Sequence, residues 1–153
     1  MKILWGLNFE VPFDKLYKIT VKEIVKKKIS DKMPTDQKID YIELPASDFD
    51  AVQAFYEKAF GWKFTDYGPD YRAFNDGKID GGFYKSENRS STENGAALII
   101  LYAADLEQTK ENVISSGGKI LKDIFSFPGG RRFHFTDPNG NELAVWSDKQ
   151  AIN

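Results

Sequence analysis

Three side chains suited to proton transfer stand in alternating, strand-like surroundings: Glu43 in IDYIELP, His134 in RRFHFT and Glu142 in GNELAVW. His134 is the only histidine of the chain, and imidazole is the side chain whose ordinary titration falls nearest neutral pH. Its aromatic neighbours Phe133 and Phe135 also allow a plain packing role. A glutamate on a strand is commonly exposed or paired with Lys or Arg, but burial raises its pKa toward neutrality and makes it a general base. Arg131 and Arg132, just before His134, are either a solvated pair or a fork for a carboxylate or phosphate. The chain has no cysteine, which removes disulfides and thiol chemistry. No phosphate-cradling glycine loop, nucleophile elbow or zinc-ligand spacing occurs.

The element that must position His134 and Glu142 is Arg131 to Trp146, read as two strands hinged on Asp-Pro-Asn-Gly. Pro138 presets one turn dihedral, Asn139 and Gly140 tolerate left-handed backbone, and Asp137 can accept from turn amides. Glu43 belongs to a strand ending at Pro45. Ser47 or Asp48 then caps a helix to about Phe60, with Val52, Phe55, Tyr56, Ala59 and Phe60 as its apolar stripe and Gly61 as its stop. Trp62 to Thr65, Tyr71 to Asn75 and Ile79 to Tyr84 read as three more strands. The polar stretch KSENRSSTEN, residues 85–94, reads as a surface linker.

The same unit recurs. A shift of 57 residues lays Ile42 to Phe49 on Ile99 to Leu106 and Gly61 on Gly118, and a strand near Lys119 to Phe125 then leads to the hairpin. The spacing predicts two βαβββ modules, about 39–85 and 96–148, each with a helix over one face of its sheet. The free faces would then supply a concave ligand surface.

Length, 41% apolar and 14% aromatic content predict an ordinary globular domain. A net charge of -2 disfavours nucleic acid as a partner. No apolar run approaches the roughly 18 residues of a membrane span, so a soluble cytoplasmic protein is expected, consistent with the lack of cysteine. Residues 1–38 form a distinct extension, with nine lysines against five acidic side chains, whereas the remainder has twelve basic and eighteen acidic residues. From Phe13 to Ile29 an imperfect apolar stripe predicts a partly helical segment, read as packed on the domain or a second subunit. Residues 149–153 are a tail.

Residues 39–148 resemble the glyoxalase/bleomycin resistance/dioxygenase group, the vicinal oxygen chelate superfamily, through YIELPASDFDAVQAFYEKAFGWKF, IDGGFYK and DLEQTKENVISSGGKILKDIFSFPGGRRFHFTDPNGNELAVW. The resemblance is nearest to small single-domain members related to lactoylglutathione lyase. It implies an α+β fold in which two βαβββ modules form an open eight-stranded barrel-like sheet around a cleft, and a homodimer. It also implies a divalent metal held from the first and last strands of each module, by donors at roughly 2.0–2.2 Å. Those positions fall on Tyr41, Leu98, about Gly81 and Ala144, a set that predicts no metal and no cofactor. If Ala144 faces the cleft, Glu142 and Trp146 do too, and Tyr41 brings Glu43.

Two functions follow. One is a metal-free small-molecule-binding protein with a cleft lined by Tyr41, Glu43, Phe83, Leu98, His134, Ala144 and Trp146. The other is a lyase or isomerase using Glu43, Glu142 or His134 in acid–base chemistry, or a metal held by other residues. An adaptor role for the basic N-terminal segment is a third.

Overall fold

The computed structural model describes residues 34–149 and two short N-terminal strands, β1 (Lys2–Ile3) and β2 (Val11–Pro12), which pair antiparallel with each other. The helical segment expected over 13–29 and the tail after Lys149 lie outside the described residues. Residues 1–38 and 39–153 form separate compact units.

The second unit begins with β3 (Tyr41–Ala46). Asp48 then caps α1 (Phe49–Phe60) by accepting from the Ala51 amide at 2.9 Å, satisfying one of the free N–H groups of the first turn. Phe49, Val52, Phe55, Tyr56 and Ala59 are its buried stripe, and Gly61 ends it at φ 72°. Strands β4 (Lys63–Asp66), β5 (Tyr71–Asn75) and β6 (Asp80–Lys85) follow. The predicted first strand of this trio began one residue earlier, at Trp62. Trp62 is instead a core residue, stacked on Tyr56 at 4.3 Å and on Phe74 at 4.5 Å between ring centres.

After a short 3-10 turn at Thr92–Asn94, the plan repeats as β7 (Ile99–Tyr102), α2 (Leu106–Ser115), β8 (Lys119–Phe127), β9 (Gly130–Thr136) and β10 (Glu142–Ser147). Asp105 caps α2 through the Gln108 amide at 2.8 Å, 57 residues after Asp48. At the helix end the correspondence slips by one. Gly117 takes the left-handed conformation at φ 101°, while Gly118 lies where a Cβ would approach Val113 Cγ1 to 2.7 Å.

The eight strands form two four-stranded mixed sheets, ordered β3-β6-β5-β4 and β7-β10-β9-β8. In each, the first strand runs parallel to the last and the other pairings are antiparallel. Both sheets turn one apolar face to a common core that also holds both helices. Phe83 from β6, Phe133 and Phe135 from β9 and Leu143 and Val145 from β10 meet Phe55, Tyr56 and Val113 there. Each such side chain contributes about 1.5–3 kcal/mol relative to exposure. The alternation along a strand sends the intervening side chains to the outer faces.

The two modules are joined through the Asp137–Asn141 turn. Asp137 Oδ1 accepts from the amides of Asn139 and Asn141, both at 2.9 Å. Its Oδ2 accepts from Tyr56 Oη at 3.1 Å and Asn141 Nδ2 at 2.9 Å. Asn139 and Asn141 both donate to the Pro45 carbonyl, at the end of β3. Asn139 Oδ1 also accepts from Ser47 N and Oγ.

Two outcomes follow from this packing. Asp137→Ala leaves four donors, three of them buried, without their acceptor and is expected to lower unfolding free energy by about 3 kcal/mol or more, against about 1 kcal/mol for Tyr56→Phe, read by urea denaturation. Gly81→Ala would place a Cβ 2.2 Å from Phe74 Cζ and 2.6 Å from the Ile42 carbonyl. It is expected to cost about 1–3 kcal/mol in the same assay.

Candidate functional site

On the outer face of the second sheet the ladder fixes which side chains are neighbours. Across β9 and β10, Thr136 pairs with Glu142, His134 with Ala144 and Arg132 with Trp146. On the far side of β10, Ile100 and Tyr102 of β7 pair with Ala144 and Trp146. Strand β8 is irregular. Register shifts between Ile120 and Lys122, and again between Lys122 and Phe125, bring Lys122 opposite His134 and Phe125 opposite Arg132. A bulge of this kind re-aims side chains that strict alternation would send to the core.

His134 is 2% exposed and Glu142 6%, and the two are bonded, His134 Nδ1 to Glu142 Oε1 at 3.0 Å. The other carboxylate oxygen accepts from Thr92 N at 2.8 Å and Thr92 Oγ1 at 2.6 Å. Burial by itself would raise the Glu142 pKa, but the hydrogen bonds from His134 and Thr92 outweigh it and hold the carboxyl down at about 2. An ionised carboxylate only accepts, so Nδ1 carries the hydrogen of this bond. Nε2, at the other side of the ring, is buried without a hydrogen-bond partner. The ring also packs 5.8 Å from that of Phe125, so His134 combines the packing role expected of it with a specific polar contact.

The two adjacent arginines part company because successive residues of a strand face opposite ways. Arg131 pairs with Glu107 and donates to the Lys149 carbonyl. Arg132 instead lies over two rings, its guanidinium carbon 5.1 Å from the centre of Phe125 and 5.4 Å from that of Phe127.

The outer face of the first sheet holds a different set. Tyr41 Oη donates to the Gly81 carbonyl at 2.8 Å, Tyr71 Oη donates to Glu43 Oε1 at 2.9 Å, and the two hydroxyls are 2.9 Å apart. Desolvation and the contacts with Tyr41 and Glu43 raise the Tyr71 pKa. Tyr71 reaches Glu43 across Gly82, where any Cβ would lie 2.0 Å from its hydroxyl oxygen. A pocket of about 630 Å³ opens on this face, lined by Tyr41, Tyr67 and Tyr71 with Lys63 and Asp80. A second, of about 530 Å³, runs between β3 and β7 and is bounded by Trp62, Tyr102 and Trp146. Glu43 and Glu142 therefore belong to different sheets, and it is Glu142 that has the histidine.

Several expected cleft residues lie elsewhere. Phe83 is fully buried in the shared core, because its alternation partner on that face is Leu44, not Tyr41; it lines no outer face. Gly81 pairs with Ile42 and faces the ring of Phe74, so it too is on the core side. Leu98 precedes β7 and is half-buried. Ala144 is fully buried between its partners His134 and Ile100, and Trp146 is half-buried against Tyr102 at 5.4 Å. The metal implied by the sequence resemblance does not fit this arrangement. Ala144 and Leu98 present hydrocarbon, Gly81 presents nothing, and the Tyr41 hydroxyl is committed to a carbonyl. Among the described residues no three His, Cys, Asp or Glu side chains converge.

Thr92, Phe125 and Phe127 were not singled out in the sequence. Thr92 sits in a stretch whose composition marks only a linker, and the phenylalanines reach their positions through bulges that leave no compositional trace. Among the described residues no helix is long and apolar enough to cross a membrane.

Comparison with known proteins agrees with this architecture. Residues 38–145 match the model of the Glyoxalase/Bleomycin resistance protein/Dioxygenase superfamily. A glyoxylase-like domain-containing protein of Didymella fabae is 30% identical over 120 residues, covering 70% of this chain and 92% of that protein. A glyoxalase-related enzyme from Fulvimarina pelagi superposes with a TM-score of 0.62 at 17% identity, covering 72% of this chain and 88% of that one. Lactoylglutathione lyase from Agrobacterium tumefaciens gives 0.56 at 22% identity, with 74% and 96% covered. The matched segment spans both modules and the turn that joins them, and the chain belongs to the Glyoxalase/Bleomycin resistance protein/Dioxygenase superfamily.

Proposed function

We propose that this protein binds a small organic molecule on the outer faces of its sheets, without a metal at the position usual for its superfamily. The observation that carries this reading is the replacement of donor atoms at that position by the Ala144 methyl, flanked by Trp146 and the buried His134–Glu142 pair. Around them Ile100, Tyr102 and Trp146 offer apolar area beside a few fixed polar groups, the composition of an organic-ligand site. Two copies of the chain complete it. Tyr41, Tyr84, Ile100, Tyr102 and Leu121 are each 40–54% exposed on the described surface, large apolar groups that a second copy would cover.

A lyase or isomerase is the second reading, favoured by the His134–Glu142 pair. With Glu142 ionised and bonded to Nδ1, His134 would take a proton at Nε2 while the carboxylate holds the resulting imidazolium. The lyase named among the structural relatives has that activity in its own right, and its likeness here is one of fold.

The metal-free reading is tested by thermal shift on stripped protein with Zn, Ni, Mn and Fe(II), then with a small-molecule library. No ion is expected to raise the melting temperature, and library ligands that do so should lose the effect in Trp146→Ala. A saturable metal shift abolished by His134→Ala would overturn it. Sedimentation should give twice the 17.4 kDa chain mass; a monomer that still binds ligand would remove the second copy from the proposal.

Glu142 supplies a pH test of the pair. Its folded pKa is depressed from 4.5 to about 2, so its contribution is present above pH 4.5 and is lost as pH falls through that window. Urea midpoints should decline between pH 4.5 and 2, and Glu142→Gln should flatten that limb while lowering stability at pH 7 by about 1–3 kcal/mol. An unchanged acid limb would show that the pair is not formed in solution.

A further inference from the structure

Sheltered arginines in this fold have acidic partners, with one exception. The Arg72 side chain, 13% exposed, bonds Asp50 and Asp66, and that of Arg131, 12% exposed, bonds Glu107. Arg132 has no carboxylate within ion-pair reach among the described residues, and its Nε is buried without a hydrogen-bond partner. The rings of Phe125 and Phe127 lie against its guanidinium, and Trp146 is its neighbour on β10. Withdrawing a cation from water without an anion is costly, and ring faces offset only part of that cost. Rings also fix the guanidinium plane, leaving its edge N–H groups preset for a planar, two-oxygen acceptor.

Two residues along the same face of β9, about 6.6 Å away by strand geometry, is His134, whose buried Nε2 is the other unpartnered nitrogen of this face. Glu142 fixes the hydrogen on Nδ1, so Nε2 of the neutral ring is an acceptor. Lys122, opposite His134 on β8, adds a second positive charge. The carboxylates of this face are already engaged, Glu142 by His134 and Thr92 and Asp148 by the Tyr102 hydroxyl.

Building on the ligand face described above, we propose that β9 presents a subsite for a hydroxylated aromatic carboxylate. Arg132 grips the carboxylate, the ligand ring lies among Phe125, Phe127 and Trp146, and a ligand hydroxyl donates to His134 Nε2.

The test is calorimetric titration of the full chain with 4-hydroxybenzoate, its neutral isostere 4-hydroxybenzamide, and benzoate. The first should bind about tenfold or more tightly than the second, and more tightly than the third. Arg132→Met, which keeps an aliphatic stem between the rings, should abolish the preference for carboxylate over amide; Arg132→Lys should restore only part of it. His134→Phe should erase the advantage of 4-hydroxybenzoate over benzoate and leave the carboxylate preference intact. Cooperative melting of each variant confirms that it is folded. Equal binding of carboxylate and amide, or a preference that survives in R132M, would overturn the subsite. If that equal binding disappears in W146A, the ligand face stands and only the anion grip falls. No saturable binding of 4-hydroxybenzoate to the native chain would also overturn the subsite, whereas library ligands binding through Trp146 would still support the ligand face.

Discussion

The carboxylate of Asp137, 3% exposed, is the contact on which the two-module arrangement depends. It closes its own turn, accepts from the hydroxyl of Tyr56 on α1, and holds the Asn141 side chain that reaches the end of β3. Burial pushes its pKa up, and the surrounding donors offset part of that effect. Helix, hairpin and first strand are thus fixed by one group, across 81 residues between Tyr56 and Asp137. Asn141 immediately precedes β10. Since a slip of one residue would send every side chain of that strand to the other face, the same contact decides that Leu143 and Val145 enter the core while Glu142, Ala144 and Trp146 face outward.

Much of this was legible from local chemistry. The capping aspartates, the helical stripe and the Asp-Pro-Asn-Gly turn are short-range signals, and the 57-residue offset carried them from one module to the other. Assignments requiring phase were less secure. Phe83 and Gly81 were placed on the cleft face, yet β6 pairs Tyr41 with Asp80 and Glu43 with Gly82, so the outward residues are the ones between. The role of Thr92 was invisible because nothing local indicates that a serine- and asparagine-rich linker folds back to cap a glutamate 50 residues away. Likewise, the two bulges of β8 depend on their partner strand, and without them Phe125 would not stand beside Arg132. His134 illustrates a different limit. Packing and chemistry were weighed as alternatives, but the buried imidazole packs on Phe125 and is also hydrogen-bonded to Glu142.

The core and the outer faces of this superfamily fold are under different constraints. Replacing Phe133, Phe135 or Leu143 would open cavities next to both helices. Residue 144 lies outside that cluster and pairs across the ladder with His134 and Ile100. With a methyl at Ala144 the face is still not chemically blank. The polar groups lie one alternation step away, at Glu142, and across the ladder, at His134, held from outside the sheet by Thr92.

The two outer faces have also diverged from each other. The first carries phenols and a carboxylate in mutual contact, the second a guanidinium, an imidazole and aromatic rings. A ligand held by either face alone would meet one kind of chemistry. Joining the first face of one copy to the second face of another would set the phenols of Tyr41 and Tyr71 opposite the Arg132 guanidinium and the unpartnered His134 nitrogen, complementing a molecule with an anionic end and a polar ring substituent.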